Sequence, residues 1–81
     1  MCKIGDGVGG SETKLPGSYT IQQCIDAVRL QYLNANGATM TEPCPNKCEC
    51  YAEFAMTDWS SDQAWKSCIF SNRGKYIYTE P

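Results

Sequence analysis

Residues 50–56 read Cys50-Tyr51-Ala52-Glu53-Phe54-Ala55-Met56, and their alternation decides the fold. Successive side chains of a strand point to opposite faces. Cys50, Ala52, Phe54 and Met56 therefore share an apolar face, and Tyr51, Glu53 and Ala55 share the other. A half-buried strand needs a second layer over its apolar face. Residues 20–34, TIQQCIDAVRLQYLN, supply it as a helix. Thr20 and Gln23 make a capping box. Ile21, Cys24, Ile25, Val28 and Tyr32 recur at helical spacing on one side, and Asn36-Gly37 offers a C-terminal stop. Leu30 falls on the opposite side and is expected to be exposed.

Working outward, residues 38–41 (Ala-Thr-Met-Thr) suit a short strand. Trp65 to Phe70 is the next, with Cys68 and Phe70 inward and Trp65, Ser67 and Ile69 outward. Ser71-Asn72-Arg73-Gly74 is a turn by composition, and Lys75 to Thr79 closes the sheet. Residues 5–18, GDGVGGSETKLPGS, show no period and read as loop, a surface arm tethered by Cys2. The expectation is α+β: one amphipathic helix packed on a small antiparallel sheet of three or four strands. It forms a single domain over 1–81, with a glycine-rich arm at 1–18, the helix at 20–34 and the sheet at 38–79.

A chain of 81 residues buries only about 60–65% of the surface it exposes when unfolded, so a small core needs staples. Six cysteines supply them: Cys2, Cys24, Cys44, Cys48, Cys50 and Cys68. An even count in a short chain points to three disulfides and a secreted, extracellular protein. Spacing alone does not fix their pairing. The net charge is −2 with scattered signs, which argues against nucleic acid and against an anionic membrane surface. No apolar stretch reaches spanning length, so no membrane insertion is expected. No leader or Asn-x-Ser/Thr sequon is visible, and Met1 reads as an initiator on an excised or mature domain.

The order Thr20-x-x-x-Cys24, then Cys50-Tyr-Ala-Glu-Phe, then Cys68-Ile-Phe-Ser resembles the PAN/apple type of extracellular module. There a helix is pinned to a sheet by disulfides. Ala35-Asn-Gly-Ala-Thr-Met, together with Cys50-Tyr-Ala-Glu-Phe-Ala-Met, also resembles short cysteine-rich modules in secreted proteins of marine invertebrates. The resemblance covers about residues 19–71. It departs at Val28, where the apple pattern has a second helix cysteine, and in the added Cys44/Cys48 pair. It implies a non-catalytic module that binds proteins or carbohydrates, with a Cys24–Cys68 bond joining helix to strand. Both residues lie on core faces, and closing that loop would add roughly 4 kcal/mol. Cys44 and Cys48 are near enough to close the CPNKC loop, which leaves Cys2–Cys50.

Catalysis finds little support. There is no histidine to act as base or as fourth zinc ligand beside Cys44, Cys48 and Cys50. Glu49, Glu53, Asp58 and Asp62 are candidate carboxylates, but a domain of this size has little room for a sugar cleft. Asp6 and Glu12 are too few for a calcium loop. No enzyme activity and no cofactor or metal is expected.

The outer sheet face is more informative. Tyr51, Trp65, Ile69, Tyr76 and Tyr78 point away from the helix, with Trp59 on the adjoining polar loop 57–64. Either the arm folds back and covers them, or Tyr51, Trp59, Trp65, Tyr76 and Tyr78 form an exposed ligand-binding platform. The second reading makes the chain an adhesion or recognition module for an extracellular protein or glycan. The alternatives are a free-standing effector (toxin, defence peptide, or protease inhibitor presenting Lys47 in the CPNKC loop) and a matrix protein that self-associates.

Overall fold

The computed structural model describes residues 1–70. The turn expected at 71–74 and the strand at 75–79, with Tyr76 and Tyr78, lie outside the described residues. In chain order the elements are β1 (Cys2–Ile4), β2 (Gly7–Val8), β3 (Ser11–Lys14), α1 (Ile21–Gln31), β4 (Gly37–Thr41), β5 (Cys50–Phe54), β6 (Asp58–Trp59) and β7 (Trp65–Ile69). Five strands form one antiparallel sheet in the order β1-β7-β4-β5-β3, and β2 pairs with β6 in a separate ribbon. The fold is α+β, one helix on a disulfide-stapled sheet.

The sheet is wider than three or four strands because the arm, expected to be loop, builds both edges. β1 pairs with β7 and β3 pairs with β5. Every residue of β1 and β3 is exposed. An edge strand enclosed on neither face needs no apolar alternation, so CKI and SETK carry no period-two signal.

The capping box is present: Thr20 Oγ1 accepts from the Gln23 amide, and Gln23 Oε1 accepts from the Thr20 amide, both at 3.1 Å. The helix ends at Gln31, short of residue 34, because Tyr32 leaves helical geometry (φ −127°, ψ 81°). Asn36-Gly37 is therefore not its stop. Asn36 instead clamps the backbone of Met56, donating to its carbonyl at 2.8 Å and accepting from its amide at 2.9 Å. Gly37 begins β4.

The inner face packs Ala38, Met40, Cys50, Ala52, Cys68 and Phe70 against Cys24 and Val28 of α1. Leu15 joins them, fully buried. Leu30 is 80% exposed, as its place on the helix requires. β5 stops at Phe54, since Ala55 turns the chain with φ 61°. Gly10 crosses at that point: with φ +67°, a Cβ there would lie 1.7 Å from the Phe54 carbonyl oxygen, so only glycine fits.

Three disulfides close the fold: Cys2–Cys68, Cys24–Cys50 and Cys44–Cys48. The local clip is as expected. The other two exchange partners relative to the expected Cys24–Cys68 and Cys2–Cys50. The helix lies over β4 and β5, so Cys24 stands above Cys50 and not above β7. Cys68 is instead the direct cross-strand neighbour of Cys2, because the unforeseen edge strand β1 brings Cys2 beside it.

Candidate functional site

The sheet face away from the helix is set by register. One row across it runs Lys3, Ser67, Thr39, Tyr51, Lys14. The next runs Ile69, Gly37, Glu53, Glu12. Beyond the first row, Trp65 stands opposite Thr41. Tyr51, Trp65 and Ile69 thus lie on the outer face, as their alternation predicts.

The arm does fold back over this face, but it covers mainly polar residues. The β2–β6 ribbon lies over a layer of Thr39, Glu53 and Ser67, at 1%, 2% and 0% exposure. Thr39 Oγ1 is 2.6 Å from Glu53 Oε2 and 2.7 Å from Ser67 Oγ. Ser67 Oγ is 2.8 Å from the Gly5 carbonyl oxygen. The chain Glu53–Thr39–Ser67–Gly5 thus runs from a buried carboxyl to the base of the ribbon. Glycine at position 7 permits the close cover, since a Cβ there would lie 2.6 Å from Glu53 Cδ.

The carboxyl oxygens of Asp6, Glu12 and Glu53 lie within 4.8 Å of one another. Asp6 also caps its own turn, accepting from the Gly7 amide at 2.8 Å. Among the described residues no lysine or arginine forms an ion pair with the three. Lys14 pairs with Glu49 at 3.5 Å, and Lys3 lies 4.6 Å over the Trp59 ring. Burial, reinforced by a hydrogen bond with Glu12 and by the charges of Glu12 and Asp6, pushes Glu53 up to about 7 against the opposing Thr39 hydrogen bond. Glu53 is the buried member of the cluster, and Asp6 and Glu12 are its acidic neighbours. Its three carboxylates fall short of the six to eight oxygens calcium takes, and we assign no metal to it.

Trp59, expected to stand open on a loop, is half-buried in β6. Its indole Nε1 donates to the Ser67 carbonyl at 2.7 Å. Tyr51 and Trp65 behave differently. Their rings meet edge to face, 5.5 Å between centroids at 84°, and both are half-buried. The Tyr51 hydroxyl donates to Glu49 Oε1 at 3.1 Å. Partial burial and that hydrogen bond hold the phenol above its usual range. The Lys14–Glu49 pair borders the rings. Tyr51 and Trp65 are therefore brought together, Trp59 is tied to the ribbon, and Tyr76 and Tyr78 lie outside the described residues.

Of the other candidates, Asp58 caps the Trp59 amide and Asp62 the Ala64 amide, both as local turn acceptors. The cysteines considered as zinc ligands are all oxidised, with no free thiol. The Cys44–Cys48 loop leaves Lys47 exposed and is tied to the helix entry by reciprocal Tyr19–Cys48 backbone hydrogen bonds. The residues that the alternation missed are Thr39, Glu53 and Ser67 as a buried layer. Glu53 and Ser67 sit at positions read as outward, and Thr39, whose strand was given no inward or outward face, lies beside them in the register. Comparison with known proteins finds no match among family profiles, characterised proteins or solved structures.

Proposed function

We propose that the protein is a secreted, non-enzymatic recognition module that binds an extracellular protein or glycan through the Tyr51–Trp65 face. The observation that carries this reading is the edge-to-face pair itself. Two large aromatics stand half-buried, each still partly open to solvent, on the sheet face opposite the helix, where an antiparallel sheet would ordinarily be polar. Such a surface gives apolar contact area, a hydroxyl and an indole N–H at one place, with the Lys14–Glu49 charges at its rim. Hot spots are built this way. Three disulfides support secretion. No described helix is long and apolar enough to cross a membrane. A helix stapled to a sheet also supports a PAN/apple-like character, although Cys24 bonds Cys50 where the resemblance implies Cys68. The test is a glycan-array and extracellular-protein screen of the oxidised domain, repeated with Trp65→Ala. Loss of the ligand with the fold intact is the expected result.

A second reading rests on the CPNKC loop. The Cys44–Cys48 bond closes it and Lys47 is exposed at its tip, the form of a bait loop for a trypsin-like protease. Absence of inhibition at micromolar concentration removes it.

A further inference from the structure

Among the described residues the main sheet ends at β1 on one side and at β3 on the other. The Leu15 amide donates to the Cys50 carbonyl at 2.9 Å, one register step beyond the pair Lys14 and Tyr51. Antiparallel strands alternate bonded and non-bonded pairs. Ser11 and Thr13 therefore turn their backbone groups toward β5, while Glu12 and Lys14 turn theirs outward. Those outward amides and carbonyls form a template for a further strand. All of β3 is exposed. The edge is also short: Gly10 turns the chain before it with φ 67°, and Leu15 enters the core, fully buried, after it.

The side chains of this edge complement a copy of themselves. Glu12 and Lys14 share the outer face, beside Glu53 and Tyr51, and directly opposed residues of an antiparallel pair share a face. A two-fold axis at Thr13 sets Thr13 opposite Thr13 of a second copy. It sets Glu12 opposite the copy's Lys14, and Lys14 opposite the copy's Glu12. These two are also the bonded pairs, so each exchanges both backbone hydrogen bonds. The neighbouring registers centre on Glu12 or on Lys14 and set each against its own like charge, which is unfavourable. The β1 edge lacks the property. Gly5 donates to the Trp65 carbonyl at 2.7 Å, so Cys2 and Ile4 carry the outward backbone groups there. The equivalent axis sets Lys3 against Lys3.

The acidic cluster gives a second reason. Asp6, Glu12 and Glu53 bring their carboxyl oxygens within 4.8 Å of one another, and no described lysine or arginine pairs with them. The axis at Thr13 brings Lys14 of the second copy to Glu12 and supplies that cation. We propose that the chain forms a two-fold dimer by antiparallel pairing of β3 with β3 of a second copy, in the register centred on Thr13. The pairing joins two five-stranded sheets into one, with both helices on one side and both Tyr51–Trp65 faces on the other. It is isologous and closes on itself. It does not depend on what the Tyr51–Trp65 face binds.

A four-residue edge is far smaller than a standard interface, so the dimer is weak. Sedimentation equilibrium of the oxidised chain, at low salt and up to about 1 mM, reads it. Wild type should move from monomer toward dimer and no further. Glu12→Lys and Lys14→Glu each set like charges opposite one another and should weaken dimerisation about tenfold or more. The double variant Glu12→Lys/Lys14→Glu should restore it. An equimolar mixture of the two single variants should form a heterodimer, because each chain then meets the opposite charge. Amide exchange locates the pairing: Glu12 and Lys14 should gain protection as concentration rises, and Ser11 and Thr13 should not change. A monomer at all concentrations, an assembly larger than a dimer, or single variants that dimerise like wild type overturns the proposal. So does a loss that neither the double variant nor the mixture restores. If the double variant does not fold, the mixture and the amide pattern decide, and gained protection at Cys2 and Ile4 in place of Glu12 and Lys14 overturns the assignment.

Discussion

Gly7 sits against the carboxyl of Glu53, so close that a Cβ would stand 2.6 Å from Glu53 Cδ and 2.8 Å from both of its oxygens. The ribbon can cover the buried polar layer only because position 7 has no side chain. Gly7→Ala should therefore destabilise the protein by about 1–3 kcal/mol through overpacking. Glu53→Ala removes the other party to the clash. A double-mutant cycle in chemical denaturation should then show Gly7→Ala costing markedly less in the Glu53→Ala background. Simple additivity contradicts the packing described.

The pH dependence of stability follows from the same residue. Glu53 ionises near its ordinary value of 4.5 in the unfolded chain and at about 7 in the folded one. Between those values the native state binds more protons than the unfolded state, so stability falls as pH rises. The Glu53 contribution is complete below about pH 4.5 and lost through about pH 7. Urea melts of wild type and Glu53→Gln across pH 4.5–8.5 should diverge, with the variant flatter over that window.

The disulfide map gives an unequal set of losses. In the chain-entropy model, closing 66 residues with Cys2–Cys68 and 26 with Cys24–Cys50 is worth roughly 4 and 3.5 kcal/mol. The four-residue span of Cys44–Cys48 is worth about 2 kcal/mol. Paired alanine replacements should follow that order in thermal melts, with the clip the most dispensable. A peptide map of the oxidised chain should join the Cys24 and Cys50 peptides.

The capping box makes a smaller claim. Thr20→Ala leaves the Gln23 amide without its acceptor and should cost about 1 kcal/mol. Thr20→Ser should recover most of it, as read by the denaturation midpoint.

What could be read from the sequence divides along physical lines. The capping box, the helix face, and the inward positions of β5 and β7 were legible because burial on one side imposes a period. The edge strands were not, since β1 and β3 are exposed throughout and nothing constrains their pattern. Leu15 was the one apolar clue that the arm reaches the core, set between Lys14 and Pro16 with no periodic neighbour. Missing β1 also misplaced the disulfides, because the partner of Cys68 is decided by which strand lies beside β7. At the candidate site, alternation correctly put Tyr51 and Trp65 outward. It put Glu53 outward too, but the layer covering Glu53 comes from residues far away in the chain. No local pattern records that cover.

The central claim is that the Tyr51–Trp65 face recognises an extracellular ligand. The most direct measurement is binding of the oxidised domain to a glycan array and an extracellular-protein panel, with wild type and Trp65→Ala compared on every hit. A ligand held by the wild type and weakened about tenfold or more in a folded Trp65→Ala is the predicted result, a loss of about 1.4 kcal/mol. Equal binding by both, or no ligand on either panel, contradicts the account.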